Sequence, residues 1–440
     1  HIFTKLAVAS RIIILILQFV ANLVIPDHNP DVFKSPSSVN RTNWFDKVPQ
    51  FFLGGLLRWD AEYFLHIAED GYAYENSLAF YPLFPGLVRV ITKLVLAVSF
   101  YASFRYVALV VATALNAYFF YRAANCLYEL TNKIFNDLNK SWNAVILFCF
   151  NPASIFFTAP YSEGLFCWLT FSLMLECVSH LGALKMTATL ALSMLCRSNG
   201  FVNLGFPVYF ILRKVLLKKS FSQLLKLLAV VVLSLIPLTL YNFYIFQQFC
   251  QETQILHSPH IADYAEKRGF ILAGPRQHKN SPWCDKTIPF PYSYIQSHYW
   301  NVGLFNYYQM KQIPNFILAA PVILLVSTMS FRYFQTFFRH AHEKGLTGAI
   351  ASFKYLPFVV HAIFLMIFCA SYAHIQIMTR LLASASPCLY WFAADYLPKF
   401  FDQINFSFPK IKSSSALIIY WFGGYFIIGT ILFCNFYPWT

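Results

Sequence analysis

The segment Arg58-Trp59-Asp60-Ala61-Glu62-Tyr63-Phe64-Leu65-His66-Ile67-Ala68-Glu69-Asp70-Gly71-Tyr72 gathers four carboxylates, one arginine and one histidine within fifteen residues. Carboxylates and imidazoles can take a proton from a hydroxyl, and a guanidinium binds oxyanions through a planar fork. In a helix, Glu62, His66, Glu69 and Asp70 share a face. Asp60 stands at the helix start, where a carboxylate can equally cap free N–H groups. Asp60-Ala61-Glu62 also has the hard oxygen donors that suit a divalent cation. Residues i and i+2 of a helix point to different sides, so no metal site is expected.

Other clusters carry related chemistry. Phe80-Tyr81-Pro82-Leu83-Phe84-Pro85-Gly86 is either a rigid interfacial elbow or one wall of a lipid or sugar site. Glu163, after Asn151-Pro152-Ala153-Ser154 and Ala159-Pro160-Tyr161-Ser162, opens an apolar stretch. It reads either as a helix-terminal acid or as an acid that binds the acceptor. Cys196-Arg197-Ser198-Asn199-Gly200 interrupts two short apolar stretches with an arginine that has no carboxylate near it in sequence, which suits an anion. His298, in Gln296-Ser297-His298-Tyr299-Trp300-Asn301, and His374 with Arg380, in His374-Ile375-Gln376-Ile377-Met378-Thr379-Arg380, are either structural or contacts for a phosphate or sugar.

The elements that position these residues are membrane helices. Of the 440 residues, 58% are hydrophobic and 12% charged, against roughly 25% charged in ordinary soluble domains. Mean hydropathy is +0.51. This excludes a soluble enzyme, a disordered scaffold and a secreted disulfide framework. The net charge of +14 is explained by cytoplasmic loops rather than by nucleic acid. Candidate spans are 6–25, 104–121, 142–159, 163–182, 222–246, 314–331, 355–373, 381–397 and 416–437. The stretch 183–213 reads as two short helices meeting at 197–200, and 86–100 as an interfacial or re-entrant helix. This makes a single all-α polytopic membrane domain with about 11 spans. The chain opens on His1, and a few residues are expected to precede it.

Lys and Arg fall in alternate loops, which places those loops in the cytoplasm. The opposite side then holds the loop 26–103, the segment 247–313, and every cluster described above. Cys250 and Cys284 share that segment and could pair if it faces an oxidising lumen. The remaining cysteines are scattered singly, and no C-x-x-C occurs.

Taken in order, RWDAEYFLHIAEDGY, FYPLFPG, NPASIFFTAPYSEGLF, CRSNG, HYWNVGLF and TRLLASASP resemble the GPI mannosyltransferase 2 (PIG-V) family, from about Leu57 to Pro387. The resemblance implies a GT-C type helical bundle in the endoplasmic reticulum membrane with a lumenal active site. It implies transfer of the second mannose, in α1,6 linkage, from dolichyl-phosphate mannose to a mannosyl-glucosaminyl-phosphatidylinositol acceptor. It implies inversion, no cofactor beyond the lipid-linked donor, and membrane lipid around the chain. A small membrane subunit is compatible with the family. GT-C enzymes place their base in the first lumenal loop, and Asp60 matches that position. Arg197, Arg380, His298 and His374 are candidates for donor phosphate and sugar on chemical grounds. Arg58, Trp59, Glu62, His66 and Glu163 are further substrate-binding candidates. A lipid transporter or scramblase would show internal repeats, broken helices at the midplane and charges on both sides. A non-catalytic membrane subunit would need no acid at Asp60.

The charge pattern puts the sequon Asn40-Arg41-Thr42 in the lumen and Asn405-Phe406-Ser407 in the cytoplasm. Glycosidase-sensitive mobility shifts should therefore never map to Asn405. A glycan there would reverse the orientation of the last spans.

Overall fold

The computed structural model describes residues 2–36, 44–98, 102–179, 182–218, 221–251, 253, 255–274, 281–398 and 413–439. Both sequons lie outside the described residues. The helices are α1 (Ile2–Val24), α2 (Trp44–Leu53), α3 (Asp60–Asp70), α4 (Leu83–Leu96), α5 (Phe104–Phe135), α6 (Leu138–Cys149), α7 (Glu163–Ser179), α8 (Ala183–Cys196), α9 (Gly205–Lys218), α10 (Phe221–Cys250), α11 (Pro259–Arg268), α12 (Pro291–Trp300), α13 (Ile313–Ser352), α14 (Leu356–Ser371), α15 (Met378–Ala385), α16 (Cys388–Ala394) and α17 (Ser413–Cys434). The fold is an all-helical polytopic membrane protein.

Among the described residues, five helices have the length and apolarity to cross a membrane: α1, α5, α10, α13 and α17. α8 and α14 are shorter apolar helices. The rest of the about 11 expected spans fall on shorter or broken helices. The expected span 142–159 stops at Cys149 and continues as a 3-10 turn, Ser154–Phe157. The expected span 381–397 is two short helices broken at Ser386-Pro387. Proline lacks an N–H and cannot continue a helix ladder. At membrane depth such breaks are tolerated only where protein covers them, and Asn151 to Ser162 are all buried.

Arg11 of α1 compensates the first break. Its guanidinium donates to the carbonyls of Cys149 (3.3 Å) and Ser154 (2.8 Å), and to the hydroxyls of Ser154 (2.5 Å) and Thr158 (2.9 Å). It also lies 3.8 Å from the centre of the Phe120 ring. A buried cation thereby supplies the donors that the interrupted helix lacks.

α5 packs against α4, α6 and α7, α7 against α8, α8 against α10, and α1 against α17. The polar segments fold over one end of this bundle. Tyr74 pairs with Leu272 as an isolated bridge, and Arg268 meets Asp31 at 2.6 Å. The fully buried Glu75 accepts from Trp283 Nε1 (2.8 Å), the Tyr299 hydroxyl (2.8 Å) and Ser281. Cys250 and Cys284 form a disulfide.

α8 ends at the 197–200 break in the expected way. There the 3-10 stretch Ser198–Leu204 is locked by Asn203 Nδ2, which donates to Thr170 Oγ1 (2.9 Å) and Ser193 Oγ (3.3 Å). A Cβ on Gly200 would lie 2.3 Å from the Ser193 carbonyl oxygen. Gly200→Ala must therefore push the turn off α8, costing about 1–3 kcal/mol. A lowered thermal midpoint of the detergent-purified protein is expected, and an unchanged midpoint would show that the turn gives way freely.

Candidate active site

α3 begins in an unusual way. Trp59, the residue before it, has φ 55° and ψ −125°, a conformation that side chains other than glycine rarely adopt. The Tyr161 hydroxyl brackets this residue. It accepts from the Asp60 N–H (3.1 Å) and donates to the Arg58 carbonyl (3.3 Å). Tyr161 is itself placed by Asn116 of α5, whose Nδ2 donates to the Ala159 (2.6 Å) and Tyr161 (2.9 Å) carbonyls. Strain of this kind persists where the surroundings over-determine it. The N-cap alternative for Asp60 is corrected: Trp59 takes the cap position, without a side-chain bond, and Asp60 is the first helical residue.

The Asp60 carboxylate instead faces Arg380 of α15, Oδ2 to Nη1, at 3.1 Å. Arg380 Nε stands 3.7 Å from Glu163 Oε1, and the same oxygen meets Arg197 Nη1 at 2.5 Å. Arg197 also donates to Ser162 Oγ (3.3 Å). Four residues from four separate parts of the chain thus form one alternating row: Asp60, Arg380, Glu163, Arg197. The expectation of an uncompensated Arg197 is corrected, because an acid comes from the start of α7, one helix further back than α8. The side chain of Glu163 is 0% exposed, that of Arg380 14% and that of Asp60 30%. Asp60 is therefore the acid of this row with an open face. Arg380 is further walled by Phe156 and Tyr161, whose ring centres lie 5.0 and 5.7 Å away.

The other candidates go elsewhere. Glu62 binds Arg105 of α5 through both oxygens (2.7 and 2.6 Å) and accepts the Ser35 N–H (3.0 Å). The carboxylates of Asp60 and Glu62 accordingly do not converge. His66 Nδ1 is 3.0 Å from Ser35 Oγ and 3.2 Å from Asp70 Oδ2. Arg58 ties α3's approach to both ends of the chain, meeting Asp27 (2.9 Å), Asn22 (2.7 Å) and the Cys434 carbonyl (2.9 Å). Trp59 lies edge-on to Phe436, at 5.9 Å between ring centres. His298 is exposed and stacks on Tyr294 at 5.2 Å. His374 stacks on Tyr307 at 4.7 Å. Burial lowers its imidazole pKa below the usual value, and a hydrogen bond with the Trp300 backbone opposes this. At the far end of α3, burial pushes Glu69 up to about 7, the neighbouring Asp70 charge adds to this, and Arg105 opposes it.

Sequence reasoning missed Arg105, Tyr161, Asn116 and Arg11 as positioning residues. Arg11, Arg105 and Asn116 did carry a signal, since each is a polar residue inside an apolar helix. Tyr161 carried none that distinguishes it among the 27 tyrosines.

Glu163 already fills the space between the two guanidiniums, so an anion would have to meet their remaining N–H groups, while Asp60 presents a carboxylate to a hydroxyl. The family described as Mannosyltransferase (PIG-V) matches residues 2–440. The GPI mannosyltransferase 2 of Drosophila melanogaster is 46% identical over 99% of this chain and 99% of its own length. The GPI alpha-1,6-mannosyltransferase 2 of Homo sapiens is 34% identical over 99% of this chain and 98% of its own. The GPI mannosyltransferase 2 of Schizosaccharomyces pombe is 29% identical over 76% and 64%.

Breaking a buried ion pair from one side costs about 3–5 kcal/mol, because the other charge is left behind. Glu163→Gln should lower the thermal midpoint markedly. The double variant with Arg197→Met should recover part of that loss. Additive losses in the double variant would show that the two side chains are not coupled.

Proposed function

The chain belongs to the PIG-V mannosyltransferase family, and on that premise we propose that it adds the second, α1,6-linked mannose to the GPI precursor from dolichyl-phosphate mannose, with inversion, at the lumenal face of the endoplasmic reticulum membrane. The observation that carries this reading is the half-open Asp60 carboxylate held by Arg380 at the head of a row that ends in a second arginine. The names of the relatives support the acceptor pathway and linkage. The Cys250–Cys284 disulfide supports an oxidising compartment for the segment 247–313, which covers the same end of the bundle.

In this reading the acceptor is a mannosyl-glucosaminyl-phosphatidylinositol, and the 6-hydroxyl of its mannose lies against Asp60. The hydroxyl oxygen attacks the donor's anomeric carbon from the face opposite the phosphate. Its proton passes to the Asp60 carboxylate. The bond from the anomeric carbon to the phosphate oxygen breaks, and its electron pair leaves with the phosphate. The departing dolichyl phosphate gains negative charge, which Arg380 and Arg197 are placed to hold. A phosphate leaves without a strong general acid. Arg380 therefore serves twice: it fixes the base before reaction and meets the leaving group during it.

Asp60→Asn keeps the shape of the side chain and an acceptor oxygen for Arg380 but removes the base. Mannose transfer should fall by about 10²–10⁴-fold, with normal amounts of protein in the membrane. In cells lacking the enzyme, the variant should leave surface GPI-anchored proteins unrestored and singly mannosylated precursor accumulating. Restoration at low expression would move the base to another carboxylate.

A further inference from the structure

A cavity of about 630 Å³ opens at the C-terminal end of α3, away from the Asp60 row. Its lining includes Asp70, Arg89, Tyr244, Gln248, His257 and Ser258. The set combines one carboxylate, one guanidinium and several neutral donors and acceptors. Arg89, from α4, reaches over Gly71 and donates to the Ala68 and Glu69 carbonyls (both 3.3 Å). This seats its guanidinium beside Asp70 at the end of the helix. One wall is the end of α10, a candidate membrane span whose Leu240, Phe243 and Tyr244 are exposed. A polar cavity at the mouth of an apolar helix is where the head group of a lipid lies while its tails remain in the membrane.

We propose that this cavity binds the zwitterionic head group of the acceptor lipid, its ammonium at Asp70 and its phosphodiester at Arg89. The proposal rests on the reaction read above. Three observations carry it. Asp60, Tyr63, Ile67 and Asp70 follow one another at helical spacing along a single stripe of α3, so one ligand can touch both ends. Eleven residues of helix separate those ends by about 15 Å. The donor's phosphate is bonded to the reacting carbon and must stay at the Asp60 row, so the donor head group cannot reach Asp70. The acceptor can, because a sugar and an aminosugar stand between its reacting hydroxyl and its inositol phosphate.

The test uses the full chain in lipid nanodiscs. Two synthetic acceptors are compared, singly mannosylated glucosaminyl-phosphatidylinositol and its N-acetylated form, which has no ammonium. Binding and transfer are measured for the wild type, Asp70→Asn and Arg89→Gln. Asp70→Asn keeps an acceptor oxygen for His66, so its fold should be preserved. Loss of one charge-assisted contact is expected to weaken acceptor binding about tenfold or more in each variant. Donor KM and kcat should stay within about twofold. N-acetylation should weaken binding to the wild type by a similar factor and have no further effect on Asp70→Asn. Unchanged acceptor affinity in both variants overturns the assignment. Equal loss of donor and acceptor binding also overturns it, since that marks damage to α3. If the wild type binds the acceptor but transfers no mannose, the reaction reading fails, and the binding comparison alone judges the cavity.

Discussion

Glu163 is a carboxylate without exposed surface, shared by two arginines from different helices. A charge in that position is tolerated only if its partners are present and well placed. The requirement acts on the whole bundle. α7 must begin at Glu163, α8 must stop just before Arg197, and α15 must start two residues ahead of Arg380. Each boundary that looks irregular in a membrane protein serves to bring a charge to this point. Asp60 is then recruited by Arg380 across the gap from α3. The ionic row is therefore a constraint on folding and, in the proposed reading, also the chemical apparatus.

The rest of the scaffold supplies what those irregular boundaries lack. Every break in a membrane helix frees backbone groups that water would otherwise satisfy. Arg11 takes the carbonyls freed after α6, Asn116 takes those of the 159–161 turn, and Asn203 holds the turn after α8. Tyr161 then joins the two levels. It sits in one of the broken segments and holds the strained peptide from which α3 departs. A single hydroxyl thus links the backbone accounting of the bundle to the aim of the Asp60 carboxylate.

Much of this was legible in the sequence. Composition and apolar run length were enough for the polytopic class, and the motifs in order were enough for the family. Arg197-Ser198-Asn199-Gly200 broke a helix as its polarity and glycine required. The breaks inside the expected spans 142–159 and 381–397 were not legible, because length alone cannot tell a continuous helix from one that ends early inside protein. Asn151-Pro152 and Ser386-Pro387 marked those ends, but a proline in a membrane helix is also compatible with a kink. Pairing was hidden as well. Glu163 and Arg197 lie on neighbouring helices, yet which face each presents depends on the broken turns before them. Arg58 looked like part of a catalytic cluster because of its neighbours. Its partners, Asn22, Asp27 and Cys434, come from opposite ends of the chain, and no local pattern announces such a clasp.

The disulfide between Cys250 and Cys284 turns the stretch between them into a closed ring, and that ring contains Ile255, His257, Ser258, Ile261 and Ala273 of the cavity wall. A ring closed by sulfur has fewer ways to be disordered than an open strand of the same length. The wall is consequently finished by an oxidation and not by folding alone. A chain that has crossed the membrane but has not yet been oxidised would own its ionic row in full while holding this wall loosely. The outline of the cavity therefore depends on the oxidation of these two cysteines, whereas the ionic row does not.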